Sequence, residues 1–330
     1  MRIAIISDIH SNLEALEKAA ELIKKHEADE VVCLGDIVGY GANPNECLSL
    51  VRELTPHILL GNHDEAAIYP EKTEHFNPLA RIAAEWTGNT LTEENSEFLS
   101  SLPFTLELHG ATFVHSSPYE PQEWHYILSP SDAQYNFQSF ATPICFVGHT
   151  HVPDVYCDDI WTREVVKGKR FLVNVGSVGQ PRDNHWQLSF GVFDSEKWTY
   201  KNIRSDYDVK TASEKIRQAG LPRGLADRIL VGRKPTGTLV VDYLLPGKHL
   251  YLLGSGTGLA PFISIVRDPE TYERFEKVII VHGVREVAEL AYHDHLAVDL
   301  PKHEFLGEYA SNQLLYYPTV TREPYKNMGR

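Results

Sequence analysis

Five short apolar runs early in the chain each stop at a polar signature, and this repeated juxtaposition constrains the fold more than any other feature. Residues 2–7 lead into Asp8 and His10, residues 31–34 into Gly35-Asp36, and residues 57–60 into Gly61-Asn62-His63-Asp64. Residues 111–114 lead into His115, and residues 144–147 into Gly148-His149-Thr150-His151. The runs are short and rich in β-branched side chains, which favours strand over helix. Between them lie helical patterns: Ser11-Asn12-Leu13-Glu14 reads as a capping box, and Leu13, Leu16, Ala20 and Ile23 follow at helical spacing. Strands separated by helices predict an α/β arrangement. The carboxyl ends of such strands converge on one crevice, so residues far apart in sequence can share a site.

Further runs at 171–175, 188–193 and 198–203 have no long helix between them, as in hairpins or a meander. A mixed pair of sheets is therefore expected rather than one parallel sheet. From 206 to 233 the pattern is helical and polar, with Ala212, Ile216 and Ala219 on one face and Gly220-Leu221-Pro222 ending it. A second α/β series then begins: a strand at 250–253, a glycine-rich turn, a helix near 262–266, a strand at 278–281 and a helix near 289–298. At 330 residues the chain is long for one domain, and the patterns divide it into 1–230 and 231–330.

The net charge of −14 falls almost wholly on the residues before Arg233. No broad basic surface for a nucleic-acid backbone is expected there, which disfavours long DNA or RNA and leaves a small phosphate ester open. No apolar run is long enough to span a bilayer, and the first residues lack a signal peptide's apolar region, so a soluble, unexported protein without a membrane partner is expected. Cys33, Cys47, Cys145 and Cys157 are never two residues apart, which argues against a zinc knuckle or a disulfide framework and suits a reducing cytoplasm.

Asp, His and Asn without thiolates form a mixed oxygen and nitrogen donor set suited to manganese, iron or zinc. A carboxylate bridging two ions about 3.5–4 Å apart lets them clamp both the attacking and the leaving oxygen of an in-line displacement. Asp36 is the candidate bridge, because Gly35 before it permits tight backbone geometry.

The ordered series Asp-x-His, Gly-Asp, Gly-Asn-His-Asp, a solitary His and Gly-His-Thr-His resembles the calcineurin-like metallophosphoesterase family over residues 1–230. The resemblance implies a β-sandwich flanked by helices and two divalent ions whose bridging hydroxide attacks phosphorus. It implies that Asp8, His10, Asp36 and His151 hold one ion and Asp36, Asn62, His115 and His149 the other. His63 would protonate the leaving oxygen or stabilise charge in the transition state. The protein phosphatases of that family continue Gly-Asp with Asp-Arg-Gly; here Ile37-Val38-Gly39-Tyr40-Gly41 follows, which leaves open what fixes the tautomer of His63. That continuation, with Gly176-Ser177-Val178-Gly179-Gln180-Pro181-Arg182, is similar to the small prokaryotic phosphodiesterases and implies diester cleavage. Arg182 is either a solvated surface residue or a phosphate contact.

Residues 254–262, Gly-Ser-Gly-Thr-Gly-Leu-Ala-Pro-Phe, read as a glycine-rich turn opening a helix, which fits a simple tight turn as well as a nucleotide site. Together with Val281-His282-Gly283-Val284-Arg285, Glu289-Leu290-Ala291-Tyr292 and the text from Tyr316 to Glu323, the segment resembles the NADP-binding half of bacterial ferredoxin/flavodoxin NADP reductases. The resemblance implies a partial Rossmann-like α/β lobe, with Thr257 near the nicotinamide, Arg322 and Arg330 facing the 2′-phosphate, and Arg285 contributing to the nucleotide site. Ordinary surface charge is the competing account of those arginines. Such reductases place a flavin-binding barrel ahead of this half, and here the first domain stands there instead, so reductase turnover is not expected. Two other function classes stay open: a protein that binds a phosphate ligand or senses NADP, and an oxidoreductase acting through the second segment.

Overall fold

The computed structural model describes residues 1–74, 76–159, 162–183, 185–231, 247–302 and 306–326. The chain folds as two units, Met1–Lys234 and Pro235–Arg330.

In the first unit, β1 (Arg2–Ile6), α1 (Leu13–Lys25), β2 (Glu30–Cys33), α2 (Pro44–Leu54), α3 (Asn62–Ile68), α4 (Pro78–Thr90) and α5 (Glu93–Ser100) come in succession. They are followed by β3 (Thr105–Leu108), β4 (Ala111–Val114), α6 (Pro130–Asn136), β5 (Ile144–Val147), β6 (Asp154–Cys157) and β7 (Phe171–Asn174). The unit ends with β8 (Leu188–Asp194), β9 (Thr199–Ser205), α7 (Val209–Gln218) and α8 (Arg223–Val231). One sheet runs β2-β1-β8-β9 and the other β3-β4-β5-β7-β6, both with mixed strand directions.

The strand runs are continuously apolar because both of their faces are covered. Ile3 and Ile5 of β1 meet Phe113, Phe146 and Phe171 of the facing sheet, whereas Ala4 and Ile6 turn to Leu16, Ala19, Cys47 and Leu48 on α1 and α2. The outer side of the second sheet is closed by Ala133, Phe137 and Phe140. The result is a sandwich of two sheets flanked by helices, as expected. α4, α7 and α8 form a further cluster around Ala83, Ile216 and Leu225 that also seats Tyr40.

Three local expectations need correction. Residues 57–60 do not form a strand; they touch β2 through a single bridge, Cys33 to Ile58, and then turn away as the Leu60 amide donates to Pro103 O. Asn12 rather than Ser11 caps α1, accepting from Ala15 N at 3.2 Å, because the Ser11 amide is committed to Ile37 O at 2.8 Å. Two strands, β3 and β6, escape the sequence pattern: they flank the second sheet and none of their residues is fully buried.

In the second unit, β10 (His249–Ser255), α9 (Ala260–Val266), α10 (Pro269–Arg274), β11 (Lys277–Val284), α11 (Gly307–Gln313) and β12 (Leu314–Val320) build a parallel sheet in the order β10-β11-β12. Leu250, Leu252, Val278 and Ile280 pack against Ile263, Val266 and Phe275, a partial Rossmann-like lobe. The helix expected near 289–298 is absent: a short 3₁₀ turn (Val287–Glu289) and a π turn (His295–Asp299) flank Tyr292, whose φ of 63° breaks the helical path. Among the described residues no helix is long and apolar enough to cross a membrane.

Candidate metal centre

The loops leaving β1, β2, β4 and β5 meet at the carboxyl ends of those strands, and α3 starts beside them. Asp8 N donates to Gly35 O at 3.1 Å and His10 N to Asp36 O at 3.0 Å, which ties the first loop to the second. A side chain at Gly35, where φ is 108°, would meet Gly61 N at 2.5 Å, so only glycine lets the second and third loops come this close. Asp8 (φ 53°), His10 (53°), Asp36 (51°), His149 (65°) and His151 (62°) all have left-handed backbones. Non-glycine residues rarely adopt this conformation, and each instance costs about 1–3 kcal/mol that the surrounding structure must offset.

Two donor sets result. Ligand atoms of Asp8, His10, Asp36 and His151 lie within 4.8 Å of one another, as do those of Asp36, His115 and His149, and Asp36 belongs to both sets. Asp36 Oδ1 is held by the His63 amide at 2.8 Å, while Oδ2 lies 3.6 Å from His10 Nε2 and 3.4 Å from His115 Nε2. His10 Nδ1 contacts Val38 O at 3.2 Å and His151 Nδ1 contacts Gln180 O at 2.5 Å. A carbonyl only accepts, so both Nδ1 atoms carry the proton and both Nε2 atoms present lone pairs. Those Nε2 atoms are 3.1 Å apart. Burial, the largest cause, holds both rings well below the ordinary histidine range, so neither protonates to relieve the repulsion. His149 places Nε2 on Trp124 O at 3.0 Å, which leaves Nδ1 for the cluster.

Among the described residues, Asp8 Oδ1, Asn62 Oδ1 and both ring nitrogens of His115 are buried without a hydrogen-bond partner. Buried polar atoms rarely stay unsatisfied, and these orphans, with two opposed imidazole lone pairs, fit divalent cations between them. The titration pattern agrees. Burial raises Asp8 to about 7, helped by Asp36. Burial pushes Asp36 in the same direction, but His115, His63 and His10 outweigh it and hold the carboxyl well below its usual range. Burial alone would lower His115; Asp36, Asp8 and Asp64 instead lift it to about 9.

His63 stands in a box of rings, with Tyr40 at 4.5 Å, Phe76 at 4.7 Å and His10 at 4.9 Å between centroids. Its Nδ1 is buried without a partner, and a side chain at Gly39 (φ 91°) would reach that atom at 2.9 Å. Packing therefore orients this ring. The neighbouring Asp64 takes amide protons from Val38 at 2.9 Å and Gly61 at 3.1 Å and so ties the second loop to α3. Tyr40 carries no sign of this packing role in the sequence. Phe76 and the carbonyls of Val38, Trp124 and Gln180 are equally silent there, because a backbone carbonyl leaves no mark in residue identity.

In the second unit a cavity of about 1,050 Å³ opens at the carboxyl ends of the strands, lined by Ser255, Gly256, Gly283, Arg285, Tyr292 and Thr321 among others. Arg285 reaches it already paired with Glu289 at 3.1 Å. Arg322 is exposed and its amide donates to Arg285 O at 2.9 Å. Thr257 lies in the short 3₁₀ turn after β10, and Arg330 lies outside the described residues.

Residues 1–197 match the calcineurin-like phosphoesterase superfamily domain. An uncharacterized protein of Methanocaldococcus jannaschii is 40% identical over 242 residues, which is 70% of this chain and 98% of that protein. The crystal structure of a metallophosphoesterase from Sphaerobacter thermophilus is 40% identical, with a TM-score of 0.63 over 71% of this chain and 99% of that one. The ferredoxin–NADP reductase of Pseudomonas aeruginosa is 64% identical over 104 residues, 32% of this chain, and the chain spans 40% of that reductase's length. With the domain matched over residues 1–197 and the buried Asp and His cluster lying inside it, the chain belongs to the calcineurin-like phosphoesterase superfamily, and it also carries a region matching part of ferredoxin–NADP reductases.

Proposed function

We propose that the first unit hydrolyses small phosphate esters, diesters in preference to monoesters, with two divalent ions held by Asp8, His10, Asp36 and His151 and by Asp36, Asn62, His115 and His149. The observation that carries this reading is the pair of donor sets sharing Asp36. When bound, manganese, iron or zinc ions supply Lewis acidity to the phosphoryl group and lower the pKa of water toward about 7. The carbonyls of Val38, Gln180 and Trp124 hold three of the histidines in the ligating tautomer. Burial lowers His63 to about 4, with Arg182 and His115 adding to the effect against Asp36. The ring is thus neutral at physiological pH and serves the leaving oxygen as a hydrogen-bond donor through Nε2. The diester preference rests on the continuation Ile37-Val38-Gly39-Tyr40-Gly41 after Asp36, which lacks the phosphatases' Asp-Arg-Gly and so the arginine that grips a dianionic monoester there.

The test is hydrolysis of bis-p-nitrophenyl phosphate and p-nitrophenyl phosphate by metal-stripped protein with manganese added back. Manganese-dependent cleavage favouring the diester is expected; no cleavage of either despite bound metal would leave a phosphate-binding protein. Metal affinity should also depend on pH. Asp8 at about 7 and His115 at about 9 must shed protons to ligate. Protons and metal therefore compete, and manganese affinity should rise from pH 6 to pH 9 with proton release. Calorimetric titrations in buffers of different ionisation enthalpy measure that release, and a pH-independent affinity with none would contradict the assignment.

For the second unit we propose NADP as ligand, on the strength of the cavity at the strand ends, with Thr257, Arg285, Arg322 and Arg330 as candidate contacts. Arg285 would have to exchange Glu289 for phosphate. Thermal unfolding with and without NADP tests this, and an unchanged transition at millimolar NADP would remove the proposal.

A further inference from the structure

Arg182 is a cation beside the cluster that lacks a counter-charge among the described residues. Its amide donates to His151 O at 3.3 Å, and its guanidinium carbon lies 5.9 Å from the centre of the Tyr40 ring. Tyr40 in turn meets His10 at 4.8 Å and His63 at 4.5 Å, so the guanidinium is one ring away from the cluster and from the residue assigned to the leaving group. Nη2 contacts Gln180 Oε1 at 3.0 Å and the Tyr40 hydroxyl at 3.5 Å, both of them neutral oxygens. Among the described residues Arg182 forms no ion pair, and the carboxylate next to it in sequence, Asp183, is taken by Arg204. The side chain is half-buried, unlike a freely solvated arginine. A partly desolvated, immobilised guanidinium without a carboxylate is costly unless an anion completes it, and its planar fork matches two oxygens of a phosphoryl group.

We propose that Arg182, held by Tyr40 and Gln180, binds a non-bridging oxygen of the substrate phosphate. This rests on the metal-dependent phosphoesterase reading above. It assigns the binding of the phosphoryl group partly to a loop that follows β7, separate from the metal ligands.

The experiment is calorimetric titration of the manganese-loaded full chain with inorganic phosphate, comparing the natural protein with Arg182→Ala and Arg182→Lys. A charge-assisted contact predicts phosphate binding ~10–100-fold weaker in Arg182→Ala and partly restored in Arg182→Lys, with manganese stoichiometry unchanged in both. KM for the diester should rise more than kcat falls. Phosphate affinity within twofold of the natural protein in Arg182→Ala would overturn the proposal, and so would an equal loss of manganese, which would make Arg182 a support for the His151 loop. Absence of phosphate binding by the natural protein would overturn it too. Phosphate binding requires no turnover, so a protein that binds phosphate through Arg182 yet hydrolyses nothing would refute the hydrolase reading alone.

Discussion

Asp36→Ala should release most of the bound manganese and lower diester hydrolysis about 10³-fold or more, at about 1.4 kcal/mol per decade of rate. The size of the effect follows from position. Asp36 is the residue common to both donor sets, so its removal strips a negative ligand from each at once, whereas loss of His149 strips one set only. Asp36 is also the carboxylate whose field lifts His115 to about 9. Without it His115 becomes neutral more readily, but no carboxylate oxygen remains 3.4 Å away to complete the pair. The substitution also frees the His63 amide, now bonded to Oδ1 at 2.8 Å, so α3 should be slightly destabilised. Metal analysis separates this from general unfolding. The variant should retain a cooperative thermal transition that no longer moves when manganese is added, while the natural protein's transition rises with manganese as ligand linkage requires. A variant that keeps two ions per chain would show that Asp36 is not the bridge.

The clustering residues were readable in the sequence because this architecture places its polar groups just past the apolar strands, and a strand buried on both faces is easy to recognise. Asp8, Asp36, His115 and His149 each follow such a strand by one to three residues. The signal weakens wherever burial does: β3 alternates exposed and half-buried residues over only four positions, and β6 is half-buried throughout. Residues 57–60 show the converse, since Ile58 and Leu59 are buried in the two cores on either side of the first sheet while only a single bridge joins the segment to β2. Backbone geometry is harder still. Nothing in the letters Asp8 or His151 announces a left-handed φ, because the neighbouring hydrogen bonds of the folded loops impose it. The same holds at Tyr292, where one such residue divided a helix that the pattern had drawn as continuous.

His63→Ala should leave both metal sites filled and still lower kcat by ~10²–10⁴-fold, the usual range for a positioned proton-transfer or hydrogen-bonding group. Its ring donates no ligand to either donor set, and only its backbone amide touches Asp36, a contact that alanine preserves. The loss should depend on the leaving group. p-Nitrophenolate leaves with little assistance, so the variant should suffer more on a phenyl or alkyl diester, and an equal loss on all of them would point to a role away from the leaving oxygen. Because burial lowers His63 to about 4, the group stays neutral from pH 6 to pH 8, and removing it should shift the whole rate profile down without deleting a limb in that window. His63→Gln restores an N–H donor but not the ring that Tyr40 and Phe76 hold in place, so it should recover only part of the rate. If His63→Ala instead lost metal as completely as Asp36→Ala, the ring would belong to the ligand shell, and the division of labour between Asp36 as bridge and His63 as donor would fail.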